Sequence, residues 1–255
     1  SVEINEATGD ILEDTLKYIK LDNYSDSSEN PAMSTSTPTI YNGRAYIGVS
    51  GVSQFGMYSG HNITVIDLNE WKIAYSVPTQ GYPQTSAVLT TAYDKGDGTV
   101  YIYMFDNFTP GKLRVLCDRP GATEPVNGTA TEQYYNPVTG ETESYETPNV
   151  LFTPYDAHAQ YCICTPVVDS DGFMYFKNDS AYLMVLGSTI EKLEVAEKPS
   201  KTSYRVGETF DPTGMQIIAH YSNGMQKDVT KYVTWSTEPL TKDDTVFQIR
   251  FEHVL

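Results

Sequence analysis

The chain has 255 residues and a formal charge of −16, from 17 basic and 33 acidic residues. No cluster of Lys and Arg is present, which excludes a nucleic-acid backbone as partner, and no apolar run is long enough to span a bilayer as a helix. Hydrophobic residues at 40% and aromatic residues at 12% supply a core for one large or two ordinary domains, and the excess of Tyr (20) over Phe (9) and Trp (2) together favours strands over helices.

The first feature in chain order is a polar turn, NEATGD at 5–10, leading into extended chain. At 36–47 the stretch STPTIYNGRAYI places a strand after Thr37-Pro38, a turn at Asn42-Gly43 and a second strand carrying Tyr46. Asn-Gly readily supplies the positive φ angles of a tight turn, so a hairpin is predicted here. A third strand follows at 63–67 (ITVID), and DLNEWK at 67–72 leads into an outer strand. The same order returns as TSAVL at 85–89, a DKGDG turn at 94–98, VYIYM at 100–104 and LRVLC at 113–117. It returns again as CTPVVDSDGFMYF at 164–176 and LMVLG at 183–187, so Tyr46, Tyr101 and Tyr175 mark equivalent second strands. NPVTGE at 136–141 repeats the polar turn of 5–10 and is expected to lead into an outer strand of its own. Four antiparallel strands recurring at a period of some tens of residues are the pattern of a β-propeller blade, whose sheets bury their faces only against neighbouring sheets.

The character changes after Gly187. Residues 1–187 carry 9 basic and 23 acidic residues, −14, whereas 188–255 carry 8 and 10, −2. Such unevenness divides the chain into two units at that point. Alternation through IEKLEVAE at 190–197, a break at Pro199, a strand at 215–221, an Asn223-Gly224 hairpin and strands within 228–235 and 245–251 predict a small β-sandwich.

Two resemblances attach to these residues. The order Thr-Pro-x-[Val/Ile], Asn/Asp-Gly, Tyr, a Val-Leu or Val-Ile-Asp strand and a Thr-Gly turn resembles the quinoprotein-type (PQQ-like) β-propeller repeat over residues 1–187. The elements Pro199 to Tyr204 (PSKTSY), Gly207-Glu208, DPTG at 211–214, YSNG at 221–224 and VTKY at 229–232 resemble the group 3 bacterial immunoglobulin-like domain. The expected fold is therefore all-β: a partial β-propeller of four-stranded antiparallel blades over 1–187, joined to an immunoglobulin-like β-sandwich over 188–255 that lacks its final strand. Three fuller copies fall short of the roughly 4 to 8 blades that close a propeller. The chain is therefore read as part of a larger propeller, its open faces covered by the remaining blades or by another chain, with association expected in solution. The immunoglobulin-like resemblance implies a secreted or cell-surface bacterial setting. No signal-peptide pattern is present, as for a mature or trimmed product.

The chemistry is less legible. Quinoprotein dehydrogenases hold a quinone and calcium with paired adjacent cysteines, acidic ligands and an aspartate base, whereas here no adjacent Cys pair exists and only Trp71 and Trp235 are present. No PQQ cofactor is expected. Asp169-Ser170-Asp171-Gly172 and the 94–98 loop look like calcium loops but lack the closing Glu and sit where hairpin turns are needed, so turn chemistry is favoured and no metal ligand is assigned. Cys117, Cys162 and Cys164 can be buried thiols, one disulfide involving Cys117, or, with His158, a thin metal set. His61, His158, His220 and His253 lie on different elements with no nucleophile elbow, and no catalytic residue is assigned. The long insertion at 119–161 carries Tyr134, Tyr135, Tyr145, Tyr155 and His158 among carboxylates and amides. These are the candidate ligand-binding residues, for a glycan by stacking and hydrogen bonding, although packing on a sheet explains the same residues. The expected function is a non-catalytic extracellular or cell-surface module, presenting a surface to a glycan or surface protein. The alternatives are a diverged quinoprotein or carbohydrate-active enzyme completed by further chain, and a structural stalk.

Overall fold

The computed structural model describes residues 3–21, 32–50, 60–136, 139–222 and 224–251. Pro137 and Val138 of the predicted turn, Asn223 of the predicted hairpin, and His253 lie outside the described residues. The described chain is all-β, with three short 3-10 turns and no α-helix among the described residues. It separates into two compact units, 1–169 with 174–184 and 170–173 with 185–255.

In the first unit, β1 (Glu3–Ile4) and β2 (Ile11–Leu12) form a hairpin. The predicted 5–10 turn closes it, with the Asn5 N–H donating to the Asp10 carbonyl at 2.8 Å. Next, β3 (Thr39–Tyr41), β4 (Arg44–Val49), β5 (Asn62–Asp67) and β6 (Lys72–Pro78) make a four-stranded antiparallel sheet in chain order. Asn42 and Gly43 take positive φ values of 48° and 73°, and Tyr41 pairs with Arg44 across them. That is the two-residue turn the Asn-Gly pair demands.

The second sheet is built from β7 (Val88–Thr90), β8 (Val100–Phe105) and β9 (Leu113–Asp118). The chain then makes a separate hairpin, β10 (Ala130–Asn136) and β11 (Glu141–Thr147), before β12 (Asn149–Phe152) returns to pair with β9. The 136–141 turn therefore leads into β11 of an inserted hairpin, not into the sheet's outer strand as the repeat implied. Pro148 separates the two elements, because it has no N–H to continue the ladder. The third sheet, β13 (Val167–Val168), β14 (Met174–Lys177) and β15 (Leu183–Leu186), has three strands and turns through 169–173, with Gly172 at φ 83°.

Alternation explains how these sheets stack. In β4, Tyr46 faces one way and joins Ile63, Val65, Tyr75, Val77, Val100, Ile102, Met104 and Leu116 in a core between the first and second sheets. Ala45, Ile47 and Val49 face the other way, under Ile19 and Leu21. All six residues of β4 are consequently buried, as for a strand covered on both faces. Beyond the second sheet, Phe105 of β8 and Phe152 of β12 meet Phe176 of β14, with centroids 4.7 and 6.0 Å apart. First strands also meet side by side. Ser36 Oγ donates to the Thr85 carbonyl (2.9 Å), Thr39 Oγ1 to the Ala87 carbonyl (2.7 Å), and the Ser86 N–H to Thr165 Oγ1 (2.9 Å).

In the second unit, β16 (Ile190–Glu197), β17 (Gln216–Tyr221) and β18 (Gln226–Asp228) form one antiparallel sheet, and β19 (Val233–Trp235) and β20 (Ile249–Phe251) another. Period-2 alternation puts Ile217, Ala219 and Tyr221 of β17 inside, with Val229 and Val233. Phe210 stacks on Phe247 at 3.9 Å and meets Trp235 edge-on.

Candidate functional site

Four charged side chains of the first unit, Arg44, Asp106, Arg114 and Asp118, are buried in two clusters. Asp118, at the end of β9, is fully buried and accepts hydrogen bonds from the phenols of Tyr46 (3.0 Å) and Tyr75 (2.9 Å). Burial, and next to it the Asp118 charge, push both phenols far above the ordinary tyrosine range. Arg44 Nε lies 3.9 Å from Asp118 and 4.0 Å from Asp67, and its Nη2 donates to the Ala122 carbonyl at 2.9 Å.

The second cluster is built around Arg114 of β9, also buried. Its Nε and Nη2 donate to Asp106 Oδ2 (3.0 and 2.8 Å), Nη2 to Glu132 Oε2 (2.7 Å), and Nη1 to Thr147 Oγ1 (3.3 Å) and the Pro148 carbonyl (3.2 Å). All five guanidinium donors are used. Glu132 and Thr147 belong to the inserted hairpin, so this cluster pins it to the second sheet. Burial pushes the Glu132 carboxyl up, but hydrogen bonds to Arg114 and Lys112 and their charges outweigh that and hold it below the usual range.

The predicted ligand residues do not converge on one place. Tyr134 is buried and stacks on Tyr145, with centroids 4.0 Å apart and planes 5° from parallel. Tyr145 also donates to Glu143 Oε2 at 2.6 Å. Tyr135, one residue on, faces the other side of β10 and is exposed, as is Tyr155. His158 ends a 3-10 turn at 156–158 and meets Tyr182 edge-on at 4.6 Å. The calcium-like loops spend their oxygens on protein partners, Asp171 on Lys227 and the others locally. Asp94 Oδ1 accepts from the Gly96 and Gly98 N–H groups, Asp97 Oδ1 from Thr99, and Asp169 Oδ2 from the Tyr175 phenol. No group of three or more His, Cys, Asp or Glu residues with metal-site geometry occurs among the described residues. The three cysteines are free thiols, with Cys117 and Cys162 buried and Cys164 half-buried.

A groove in the second unit escaped the sequence reading. The loops 198–206 and 240–247 wall a cavity of 560 Å³. They are joined by a backbone pair in which the Gly207 N–H donates to the Leu240 carbonyl and the Leu240 N–H to the Glu208 carbonyl, both at 2.8 Å. Tyr204, Phe210 and Phe247 form an aromatic floor, and Lys198, Lys201, Arg205 and Lys242 line the sides. Leu240, Val246 and Phe247 also line an adjoining cavity of 570 Å³ that runs on to Trp235 and Arg250. The signal was present in the charges: four of the eight cations after Gly187 fall in these two loops.

Comparison with known proteins separates the two units. Pectate lyase L of Thermoclostridium stercorarium is 26% identical over 191 residues, covering 71% of this chain and 14% of that protein. The chain thus spans about one-seventh of that relative's length. A likeness over 71% of the chain exceeds the 68 residues after Gly187, so it reaches well into the stacked sheets. In the second unit, residues 197–246 match the family "Bacterial Ig-like domain (group 3)".

Proposed function

We propose that this chain is a non-catalytic extracellular module of a larger polysaccharide-degrading protein. Residues 1–187 serve in it as consecutive blades of a propeller arc, and 188–255 as an immunoglobulin-like spacer. The arc is supported by the face-to-face core between the first two sheets and by the hydrogen bonds that join successive first strands. On this reading the exposed Val167, Val168 and Leu183 on the two edge strands of the third sheet, with Tyr182 beside them, are apolar surface that a further blade or partner covers. The extracellular setting is supported by the family match at 197–246.

One observation carries the non-catalytic reading. The fully buried acids of the sheets, Asp106 and Asp118, are closed off inside seams by Arg114, the Lys112 N–H and two phenols. An acid or base must reach the proton it transfers, and these two reach only their structural partners. The pectate lyase relative favours a second reading, in which the chain forms part of a carbohydrate-active enzyme. Incubating the purified chain with polygalacturonate and calcium, and following ultraviolet absorbance of unsaturated products, separates the two. A flat trace is expected. A rise proportional to protein concentration would replace the first reading with the second.

A further inference from the structure

We propose that the groove between loops 198–206 and 240–247 binds an acidic glycan chain, with hexuronate carboxylates on its cations and pyranose faces on its aromatic floor. The proposal deepens the reading above and rests on it for the ligand being a polysaccharide.

Charge makes the first argument. In a chain of −16, this groove gathers four cations against one acid, Asp244. The Asp244 carboxylate is already engaged by the Thr241 N–H (2.6 Å) and hydroxyl (2.8 Å), which hold it below the usual range. Lys201 is shared with Glu208 at 3.0 Å and lies over the Tyr204 ring at 4.8 Å. Lys198, Arg205 and Lys242 form no ion pair with another described residue. Elsewhere in this unit Lys192, Lys227 and His220 have carboxylate partners, whereas three of the four cations along this cavity are left open to a ligand.

Shape makes the second. The Gly207–Leu240 backbone pair fixes the walls, and the Phe210 and Phe247 rings stack 19° from parallel in the cavity, with Phe247 also lining the adjoining one. Val206 and Val246 stand 72% and 78% exposed beside the cations. An elongated site with an apolar floor and cationic sides suits a polymer whose repeating unit has an apolar ring face and an equatorial carboxylate. An acidic peptide offers the charge without the flat ring face.

The test is affinity electrophoresis of the whole chain in gels containing polygalacturonate, its fully methyl-esterified form, or poly-L-glutamate. Retention by polygalacturonate is expected, with both other polymers weaker by about tenfold or more. The double variant R205Q/K242Q, at two exposed loop positions, is expected to lose about tenfold in affinity with unchanged thermal unfolding. Absence of retention, equal retention by poly-L-glutamate, equal retention by the ester, or a double variant that binds as wild type would each overturn the proposal. Depolymerising activity in the chain would sink the non-catalytic reading while leaving the groove standing, so the two failures are distinguishable.

Discussion

Replacing Arg114 by Met leaves the side chain's length and apolar stem but removes five hydrogen bonds from a residue that is 1% exposed. Asp106, itself 0% exposed, then retains the Lys112 N–H at 2.7 Å and loses its counter-charge. Removing one partner of a buried pair costs about 3–5 kcal/mol, because the remaining charge stays buried. For a unit of this size each kcal/mol lowers the melting temperature by about 2–4 °C, so R114M is expected to melt about 6–20 °C below wild type. The double variant D106L/R114M removes both charges and is expected to cost less than the two single costs added, with a coupling of about 2–3 kcal/mol. Urea unfolding followed by circular dichroism gives all four corners of the cycle. A single-variant cost below about 1 kcal/mol, or additivity of the pair, would refute the claim that this seam is closed by a buried, mutually dependent cluster.

Further outcomes follow from other joints. A Cβ on Gly48 would lie 1.7 Å from the Pro83 carbonyl oxygen, so G48A is expected to destabilise by about 1–3 kcal/mol or more, read by urea unfolding. Burial pushes the Cys162 thiol up to about 12 and also raises Cys117, so a thiol reagent at neutral pH is expected to titrate Cys164 rapidly and the other two after denaturation. Glu132 is held below its unfolded range, so its contribution is present above about pH 4.3 and is lost as pH falls through the lower folded value. E132Q is therefore expected to be less stable than wild type at neutral pH and to show a shallower loss of stability on acidification.

Much of the stacked architecture was legible in short motifs. Asn42-Gly43 announced its own turn, and the paired strands on either side of it and at 167–177 fell where the repeated Thr-Pro and Tyr positions put them. The inserted hairpin was not legible as such, because NPVTGE resembles the turn before an outer strand and the polar alternation of 130–147 carries no signal of which edge it will pair with. The seams were legible only as an oddity. Arg44 and Arg114 sit within otherwise apolar strands, a placement that predicts a buried counter-charge, but Asp118 is 74 residues from Arg44 and its identity needs the fold. For the five aromatic and histidine candidates, composition gave residue types suited to a glycan, whereas strand alternation sends Tyr134 and Tyr135 to opposite sides of β10. The cationic groove was missed for the opposite reason. Its two loops are 34 to 49 residues apart, and the 8 cations after Gly187 are outnumbered by 10 acids until folding brings four of them together.

Hydrogen–deuterium exchange resolved by residue tests most directly whether sheets in the first unit bury one another face to face and leave the last one open. The account predicts that amides of 45–49, 63–67, 101–105 and 113–118 exchange only through global unfolding, while those of 183–186 exchange orders of magnitude faster. Rapid exchange through β5 and β9 would contradict the stack itself.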